Sequence, residues 1–401
     1  MAQDIKQFAS NDNYLPWLDG LRGIAALWVM LSHVQILCGM ASVPILSQGD
    51  LAVDLFMLLS GFLMAHNYLL RRTREPWENP NTFKVFWIRR YFRIAPLYYV
   101  LLFVALVSGP MLGHFRDNIA VYWPHTQTVA SRYLDHSFTN VVSHVTFLFG
   151  FFPSQSFNTP LPDWSIGLEM QFYMAFPFIM LAMARYGKLT ITALCIALCI
   201  CLKLVLRDYF HFFEMPTFLP MKLYVFLAGM WIALARTMPS MRPGFFVGMA
   251  LALLWLLIER SATASGRVLM VAGMFYLMDN GTLPGSYLLS GAVHRIRIVL
   301  SNSVSRFLGD SSYAMYMLHL LIVIPVAGWL ASLPIYRALG DWARFLAVLA
   351  IAAPLVGVLS WLLFQYVEKF GIYIGKQVIR RMDSQAAKSP ARNTVTEAGV
   401  D

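Results

Sequence analysis

Ten apolar stretches, each close to the length that crosses a lipid bilayer, follow one another along this sequence. A membrane-spanning helix needs about 20 mostly apolar residues, although a helix buried among others can be shorter. The stretches lie at 15–38, 51–70, 91–109, 164–185, 189–206, 219–236, 243–259, 265–279, 308–331 and 342–367. Only 13% of the 401 residues are charged, whereas soluble domains carry about 25%. We therefore predict an all-α, polytopic membrane protein with about ten transmembrane helices.

An eleventh apolar segment, HVTFLFGFFP at 144–153, is too short to cross the bilayer comfortably. We expect it to dip into the membrane as a re-entrant segment or to lie at the interface. The resulting organisation has a cytoplasmic N-terminal segment at 1–14 and a transmembrane domain at 15–370. A basic exit and a disordered cytoplasmic tail are expected at 371–401, because the last twenty residues have no apolar periodicity.

The basic residues decide the expected orientation. Lys and Arg are enriched in cytoplasmic loops, and they cluster here in four segments, at 71–93, 235–242, 294–306 and 375–381. Ten crossings and a cytoplasmic N-terminus put all four in the cytoplasm, whereas an eleventh crossing at 144–153 would move the last three outside. We predict a multi-pass protein of the inner (plasma) membrane with both termini cytoplasmic. The loop at 110–141 then faces outward. We expect no nucleic-acid partner despite the net charge of +10, because the basic residues cluster in short loops beside apolar segments.

An arginine and a histidine lie inside the first apolar stretch, LPWLDGLRGIAALWVMLSHVQIL. A charged group in hydrocarbon costs at least about 2.5–3.5 kcal/mol, so such groups mark functional sites. Arg22 and His33 share one helix face and lie about 16 Å apart along the axis. Histidine is the usual general base, although a buried histidine can simply hydrogen-bond a neighbouring helix. Asp19 either pairs with Arg22 or caps the helix.

Three arginines, Arg89, Arg90 and Arg93, precede the third apolar stretch in FWIRRYFRIAPLYY. Guanidinium groups bind phosphate in a bidentate manner, so the cluster is suited to a nucleotide or a pyrophosphate. The alternative is a positive anchor that only fixes the topology.

The fourth stretch opens with DWSIGLEMQFY, in which Trp164 lies at the boundary. Ser165, Glu169 and Tyr173 follow at helical spacing and form one stripe. A glutamate inside the membrane needs a partner or a proton. His33 lies at a comparable depth, so a contact between His33 and Glu169 is geometrically allowed. A hydrogen bond between helices is the alternative.

The segment GDSSYAMYMLHLL places Ser312, Tyr316 and His319 on one helix face, with Tyr313 one residue off that face. A polar face of this kind lines either a cavity or a hydrogen-bond network between helices. Glu368, near the end of the last stretch, is expected to snorkel or to pair at the interface.

Several catalytic motifs are missing from the sequence, namely GxxxxGK[ST], GxGxxG, HExxH and GxSxG. ATP hydrolysis, dinucleotide redox chemistry and serine hydrolysis therefore have no motif here. Six segments instead resemble, in order, the acyltransferase-3 family of integral membrane acyltransferases. They are LDGLRGIAALWVMLSHV, VDLFMLLSGFLMA, FWIRRYFRIAPLYY, DWSIGLEMQFY, SSYAMYMLH and QYVEKF, and they cover residues 15–370.

The resemblance implies transfer of an acyl group, usually acetyl, from cytoplasmic acyl-CoA to a hydroxyl of an extracytoplasmic glycan or lipid-linked sugar, without a metal. It implies that His33 and Glu169 are catalytic, with either direct deprotonation of the acceptor or an acyl-histidine intermediate. Arg22, Arg89, Arg90 and Arg93 would bind acyl-CoA. The supporting residues would be Asp19, Asp54, Trp164, Ser165, Tyr173, Ser312, Tyr313, Tyr316 and His319.

Other function classes remain open at this point. The first alternative is a transporter or flippase, because intramembrane Arg, Glu and His also mark substrate and proton pathways. Against it, the two halves of the sequence show no repeat and the arginine cluster stays on one side. A membrane scaffold or sensor subunit is the second alternative. The sequence leaves the acceptor, the length of the acyl group and the oligomeric state open.

Overall fold

The computed structural model describes residues 15–238, 240, 243–259, 262–279, 283 and 285–388. Every regular element in these ranges is helical. The helices of the first half are α1 (Pro16–Leu37), α2 (Gly49–Arg71), α3 (Pro80–Tyr122), α4 (Ser131–Leu134), α5 (Phe138–Val145), α6 (Trp164–Tyr186), α7 (Lys188–Val205) and α8 (Arg207–His211). Those of the second half are α9 (Leu223–Thr237), α10 (Gly244–Glu259), α11 (Ala262–Met278), α12 (Ser286–Leu300), α13 (Ser303–Asp310), α14 (Ser312–Ser332), α15 (Pro334–Arg337), α16 (Asp341–Leu363) and α17 (Lys369–Lys388).

Seven helices in the described residues are long and apolar enough to cross a membrane, and they are α1, α2, α3, α6, α7, α14 and the continuous helix Asp341–Ser384. Three shorter apolar helices, Leu223–Thr237, Gly244–Leu254 and Thr263–Met278, occupy the other three predicted positions. The prediction of an all-α polytopic membrane protein is confirmed. Ten crossings stay a prediction, because these three helices are shorter than 18 residues.

Helix α3 is much longer than the predicted span at 91–109. Asn79 caps its start by accepting a hydrogen bond from the backbone N–H of Asn81, and Pro80 occupies the first helical position. The helix then runs for 43 residues through two internal prolines. The expected outward loop at 110–141 is therefore helical as far as Tyr122, and α4 and part of α5 follow. Neighbouring helices can compensate for the hydrogen bond that a proline removes, and the end of α4 packs against Gly109.

The segment 144–153 forms no spanning helix. It contains the end of α5 and a short 3₁₀ turn at Leu148–Phe151, and Phe147 between them has left-handed backbone geometry with φ 59°. Its position relative to the membrane stays a prediction.

The chain leaves the bundle as a continuous helix. A π-helical segment, Phe364–Glu368, joins α16 to α17, and α17 extends to Lys388. The expected disordered tail is therefore helical over its first residues. The start of α17 packs on α3: a Cβ added to Gly371 would come within 2.6 Å of Pro96, so the two helices lie very close there. Residues 389–401 and the predicted N-terminal segment 1–14 lie outside the described residues.

Helix α1 lies at the centre and positions the polar side chains. It packs against α2, α13 and α14. The contact with α13 is close, since a Cβ added to Gly309 would lie 2.2 Å from the carbonyl oxygen of Asp19. Asp19 lies in the first turn of α1 and His33 near its end. The two ends of the bundle are therefore called the Asp19 end and the His33 end.

Candidate functional site

Two histidines from helices far apart in sequence meet inside the bundle. The Nε2 atom of His319 on α14 lies 3.1 Å from the Nδ1 atom of His33 on α1. Their ring centroids are 4.9 Å apart, with the rings tilted by 45°. His319 is completely buried, whereas His33 keeps part of its surface accessible. His33 is therefore the ring that a substrate can reach.

Backbone carbonyls determine which ring nitrogens carry hydrogen when both histidines are neutral. The Nδ1 atom of His33 lies 2.9 Å from the carbonyl oxygen of Val29, and that of His319 lies 2.6 Å from the carbonyl oxygen of Tyr316. A carbonyl oxygen only accepts, so each Nδ1 carries the hydrogen. The His33 Nδ1–H then also donates to His319 Nε2, and His33 Nε2 keeps a free lone pair. That atom has no hydrogen-bond partner among the described residues.

The contact between His33 and Glu169 that the sequence allowed is not formed, and Glu169 takes part in a hydrogen bond between helices, which was the alternative. Glu169 Oε1 accepts hydrogen bonds from the Ser60 hydroxyl at 2.7 Å and from the Tyr173 hydroxyl. The reason is an offset in depth. Ser165 hydrogen-bonds Tyr316 at 2.8 Å, and Tyr316 lies about one turn below His319, while Glu169 lies one turn beyond Ser165. The offset between His33 and Glu169 along the bundle is therefore about 10 Å.

The arginines reach Glu169 from the Asp19 end. Arg22 interacts electrostatically with Glu169, Asp19 and Arg93. Arg90 lies over the ring of Tyr173, 5.7 Å from its centroid, and its Nε is buried without a hydrogen-bond partner. The electrostatic interaction of Arg22 with Asp19 is compatible with the sequence interpretation that the two pair, and the pairing itself stays a prediction.

Polar side chains thus line the interior of the bundle in two hydrogen-bonded groups, which follow each other at Ser165 and Glu169 on one face of α6, and together they are called the polar column. From the Asp19 end to the His33 end its members are Arg22, Arg90, Glu169, Tyr173, Ser60, Ser165, Tyr316, His319 and His33. Sequence analysis found all of these except Ser60, whose role depends on a contact between two helices 109 residues apart.

Two residues of the SSYAMYMLH segment bond outside the polar column. The Ser312 hydroxyl donates to the carbonyl oxygen of Gly309 at 2.7 Å, which satisfies it locally. The Tyr313 hydroxyl donates to the carbonyl oxygen of Ile94 at 3.0 Å and thereby ties α14 to α3. Trp164 packs into the apolar core.

The predicted arginine cluster is divided between two places. Arg89 forms a bidentate salt bridge with Glu75, at 2.8 and 2.9 Å. These hydrogen bonds lower the pKa of the Glu75 carboxyl. Arg89 and Arg90 line a cleft together with Arg71, Glu75, Asn67, Tyr68 and Thr82. Arg93 instead lies with Arg22 and Glu368.

Glu368 is buried, so of its two expected roles snorkelling is wrong, whereas a paired residue agrees with its surroundings. Its side chain is 1% exposed and lies in the π-helical segment. It interacts electrostatically with Arg93 and Arg22, and its Oε1 atom is buried without a hydrogen-bond partner. The unusual backbone turns it inward, where the two arginines balance its charge.

Asp54 does not belong to the polar column. Its carboxylate is completely buried and accepts hydrogen bonds from Lys222 at 2.7 Å and from Arg267 at 2.5 Å. Asp50 adds a further contact to Arg267 at 3.2 Å. The arrangement ties α2 to α11 and to Lys222, the residue before α9, and these contacts are of the kind that structural residues make.

Two arginines that sequence analysis did not select lie at the His33 end. Arg116 on α3 and Arg132 on α4 are only 8% and 7% exposed, and both interact electrostatically with His33. The sequence did contain a feature that could have singled them out. Arginines are disfavoured in outward segments by the positive-inside rule, so two in the expected outward loop called for an explanation.

No group of three or more His, Cys, Asp or Glu side chains is arranged to hold a metal ion in the part of the chain that the structure describes. The residues suited to a charged ligand are the arginines at the two ends of the polar column.

Comparison with known proteins adds a family match. A family model described as an acyltransferase domain, Acyl_transf_3, matches residues 15–363. The peptidoglycan O-acetyltransferase OatA of Listeria monocytogenes is 29% identical over 187 residues, which are 44% of this chain and 25% of OatA. The protein BcsY of Komagataeibacter xylinus, provisionally named a membrane-bound transacylase, is 33% identical over 181 residues, 44% of this chain and 40% of BcsY.

A longer match is with SACOL0978 of Staphylococcus aureus, provisionally named an O-acetyltransferase. It is 27% identical over 353 residues, which are 80% of this chain and 53% of the relative. The chain thus spans about half or less of the length of these relatives. No solved structure matches the chain.

Proposed function

The chain belongs to the acyltransferase-3 family, and on that premise we propose that it is a membrane O-acyltransferase that uses cytoplasmic acyl-CoA, with acetyl as the acyl group. The acceptor is a hydroxyl of a glycan or lipid-linked sugar on the other side of the inner membrane. The polar column is the observation that carries this proposal. It joins arginines suited to a phosphorylated donor with a histidine suited to proton abstraction, through the interior of one bundle.

The donor binds at the Asp19 end, which faces the cytoplasm. The phosphates of CoA lie in the cleft of Arg71, Arg89 and Arg90, because guanidinium groups bind phosphate in a bidentate manner. Glu75 holds Arg89 in place until a phosphate competes for it. The pantetheine arm then passes Arg22 and carries the thioester along the polar column toward His33.

His33 activates the acceptor. Its Nε2 atom takes the proton of the acceptor hydroxyl while the oxygen attacks the thioester carbonyl carbon. The tetrahedral intermediate expels the CoA thiolate, which takes the proton from His33 Nε2 and so restores the neutral ring. The imidazolium of His33 is held meanwhile by hydrogen bonds from its Nδ1–H to Val29 and to His319. The same Nε2 atom would attack the carbonyl in a route through an acyl-histidine.

Glu169 lies nearer to the Asp19 end than the reacting groups do. Its carboxylate balances the positive charges of Arg22 and Arg90. Its hydrogen bond from Ser60 ties α2 to α6, and its hydrogen bond from Tyr173 lies within α6. In this proposal Glu169 positions the donor and relays protons, and it does not orient the His33 ring, which His319 does.

The experiment that tests the proposed function uses the full chain in proteoliposomes with radiolabelled acetyl-CoA and extracted envelope glycans. We expect label in the glycan fraction and release of CoA, both lost in His33→Ala. His125→Ala, which removes an exposed histidine, is the matched control and should retain both. Transfer that persists in His33→Ala would overturn the proposal. Movement of glycan across the membrane without consumption of thioester would establish the transporter alternative.

A further inference from the structure

Arg116 is a buried cation without a partner. It lies near the His33 end of α3 and is 8% exposed. No hydrogen bond or salt bridge joins it to any described residue, and its Nε is inaccessible and unpaired. Burying a guanidinium in this way is costly unless an anion compensates it. The Arg116 side chain thus carries a charge for which no described residue supplies a hydrogen-bond acceptor.

The surroundings of Arg116 add positive charge and a second unpaired polar atom. The groups that interact electrostatically with it are Arg132 and Tyr133. The hydroxyl of Tyr133 is also buried without a hydrogen-bond partner. No carboxylate in the described residues forms a salt bridge with Arg116.

Arg132, in contrast, already has partners within the protein. Its Nε donates to the carbonyl oxygen of Thr159 at 3.0 Å, and its guanidinium lies 3.9 Å from the ring centroid of Phe157. It therefore contributes a positive field, while the free donors are those of Arg116 and Tyr133. A guanidinium and a hydroxyl that both lack partners are the kind of donors that bind an oxyanion.

The position of Arg116 in the bundle connects it to the reaction. Arg116 and Arg132 both interact electrostatically with His33, and they lie at the end of the bundle opposite the Arg71, Arg89 and Arg90 cleft. An anion bound here would be a neighbour of the acceptor hydroxyl, and the donor phosphates would occupy the other end.

We propose that Arg116 and the Tyr133 hydroxyl bind an oxyanion of the acceptor, a carboxylate or a phosphate ester, and so make this enzyme selective for acidic glycans or sugar phosphates. The identification of the bound anion as part of the acceptor rests on the proposed function. The binding of the anion itself does not depend on acyl transfer, so the two are tested separately.

The test measures the unfolding temperature of the purified full chain in detergent with four additives. They are D-glucuronate, D-glucose 1-phosphate, the neutral sugar D-glucose, and sodium chloride at matched ionic strength. We expect one or both sugar anions to raise the unfolding temperature, and glucose and chloride to leave it unchanged. A response to glucuronate alone identifies a carboxylate as the ligand, and a response to glucose 1-phosphate alone identifies a phosphate ester.

The variants locate the response. Arg116→Gln should raise the half-saturating anion concentration by about tenfold or more. Arg337→Gln removes another positive charge of the same end, one that lies over the ring of Tyr122, and should respond like the wild type. If Arg116→Gln does not fold, Arg116→Lys keeps the charge without the planar fork and should weaken the response several-fold.

Three results would overturn the inference: no response to either sugar anion, an equal response to chloride, or an unchanged response in the Arg116 variants. His33→Ala should keep the full anion response. An anion response without any acyl transfer would refute the proposed function and leave the anion site intact. Transfer to neutral sugars without an anion response would support the proposed function and refute the anion site.

Discussion

His319 Nε2 lies 3.1 Å from His33 Nδ1, which joins two helices whose contacting residues are 286 positions apart. The contact uses the nitrogen of His33 that faces the backbone, so the other nitrogen stays free to take a proton. In the proposed reaction His319 is a positioning residue, because it touches His33 and not the substrate.

The first prediction concerns His319. His319→Ala should lower kcat by about tenfold to a hundredfold, because the His33 ring loses the partner that fixes its orientation. The KM for acetyl-CoA should stay unchanged, since the donor binds at the other end. His319→Gln should recover part of kcat, because its amide oxygen can accept from His33 Nδ1–H. Steady-state kinetics of the three proteins checks this, and equal losses in the Ala and Gln variants would contradict it.

The second prediction separates the two partners of one salt bridge. Arg89→Ala should raise the KM for acetyl-CoA about tenfold, since it removes a phosphate ligand. Glu75→Gln should lower that KM or leave it unchanged, because it frees Arg89 from its partner. Lys84→Ala, on the same helix but lining a different groove, is the matched control. A rise of KM in both Arg89→Ala and Glu75→Gln would mean that the pair is structural only.

The third prediction concerns pH. Hydrogen bonds from Arg89 lower the pKa of Glu75 in the folded protein. A carboxyl of this kind stabilises the fold above its unfolded pKa, and the contribution is lost as the pH falls through the folded pKa. The unfolding temperature of the wild type should therefore exceed that of Glu75→Gln near about pH 7 and approach it toward about pH 3. A difference that stays constant over this range would contradict the assignment.

The fourth prediction concerns the buried ion pairs of Asp54. Asp54→Asn should destabilise the protein by about 3–5 kcal/mol, because Lys222 and Arg267 stay buried with one charge uncompensated. Asp50 is a half-exposed partner of Arg267, so Asp50→Asn should lower the free energy of unfolding much less. Thermal unfolding measures both. A large loss of kcat in folded Asp54→Asn protein would instead place Asp54 in the reaction.

The length and apolar character of the stretches were enough to predict the helical membrane fold, since these properties are local. Arg22, His33, Glu169, Tyr316 and His319 were found for a similar reason, because polar groups in apolar helices are exceptional. Which of them meet was not predictable. The partner of His33 depends on how α1, α6 and α14 are offset in depth, and that offset results from contacts between distant residues.

Other differences have equally physical origins. Glu368 was expected at the interface, but the π-helical segment turns it inward, and the sequence carries no clear signal for that backbone change. Arg116 was placed in a loop, because the predicted span ended at residue 109, whereas the helix continues through Pro110 to Tyr122. Helix α3 thereby carries Arg90 near one end and Arg116 near the other. The prediction divided the same residues into a loop, a span and a second loop, so it did not place these two arginines on one helix.

The most direct test of the central claim, that donor and acceptor meet from opposite ends of one polar column, is the sidedness of the reaction. Vesicles of known orientation receive radiolabelled acetyl-CoA on the face where Arg89 lies, with membrane-impermeant acceptor glycan on both faces. The account predicts acetylated glycan only on the face nearer His33, and free CoA only on the face of supply. Acetylated glycan on the same face as the acetyl-CoA would contradict it.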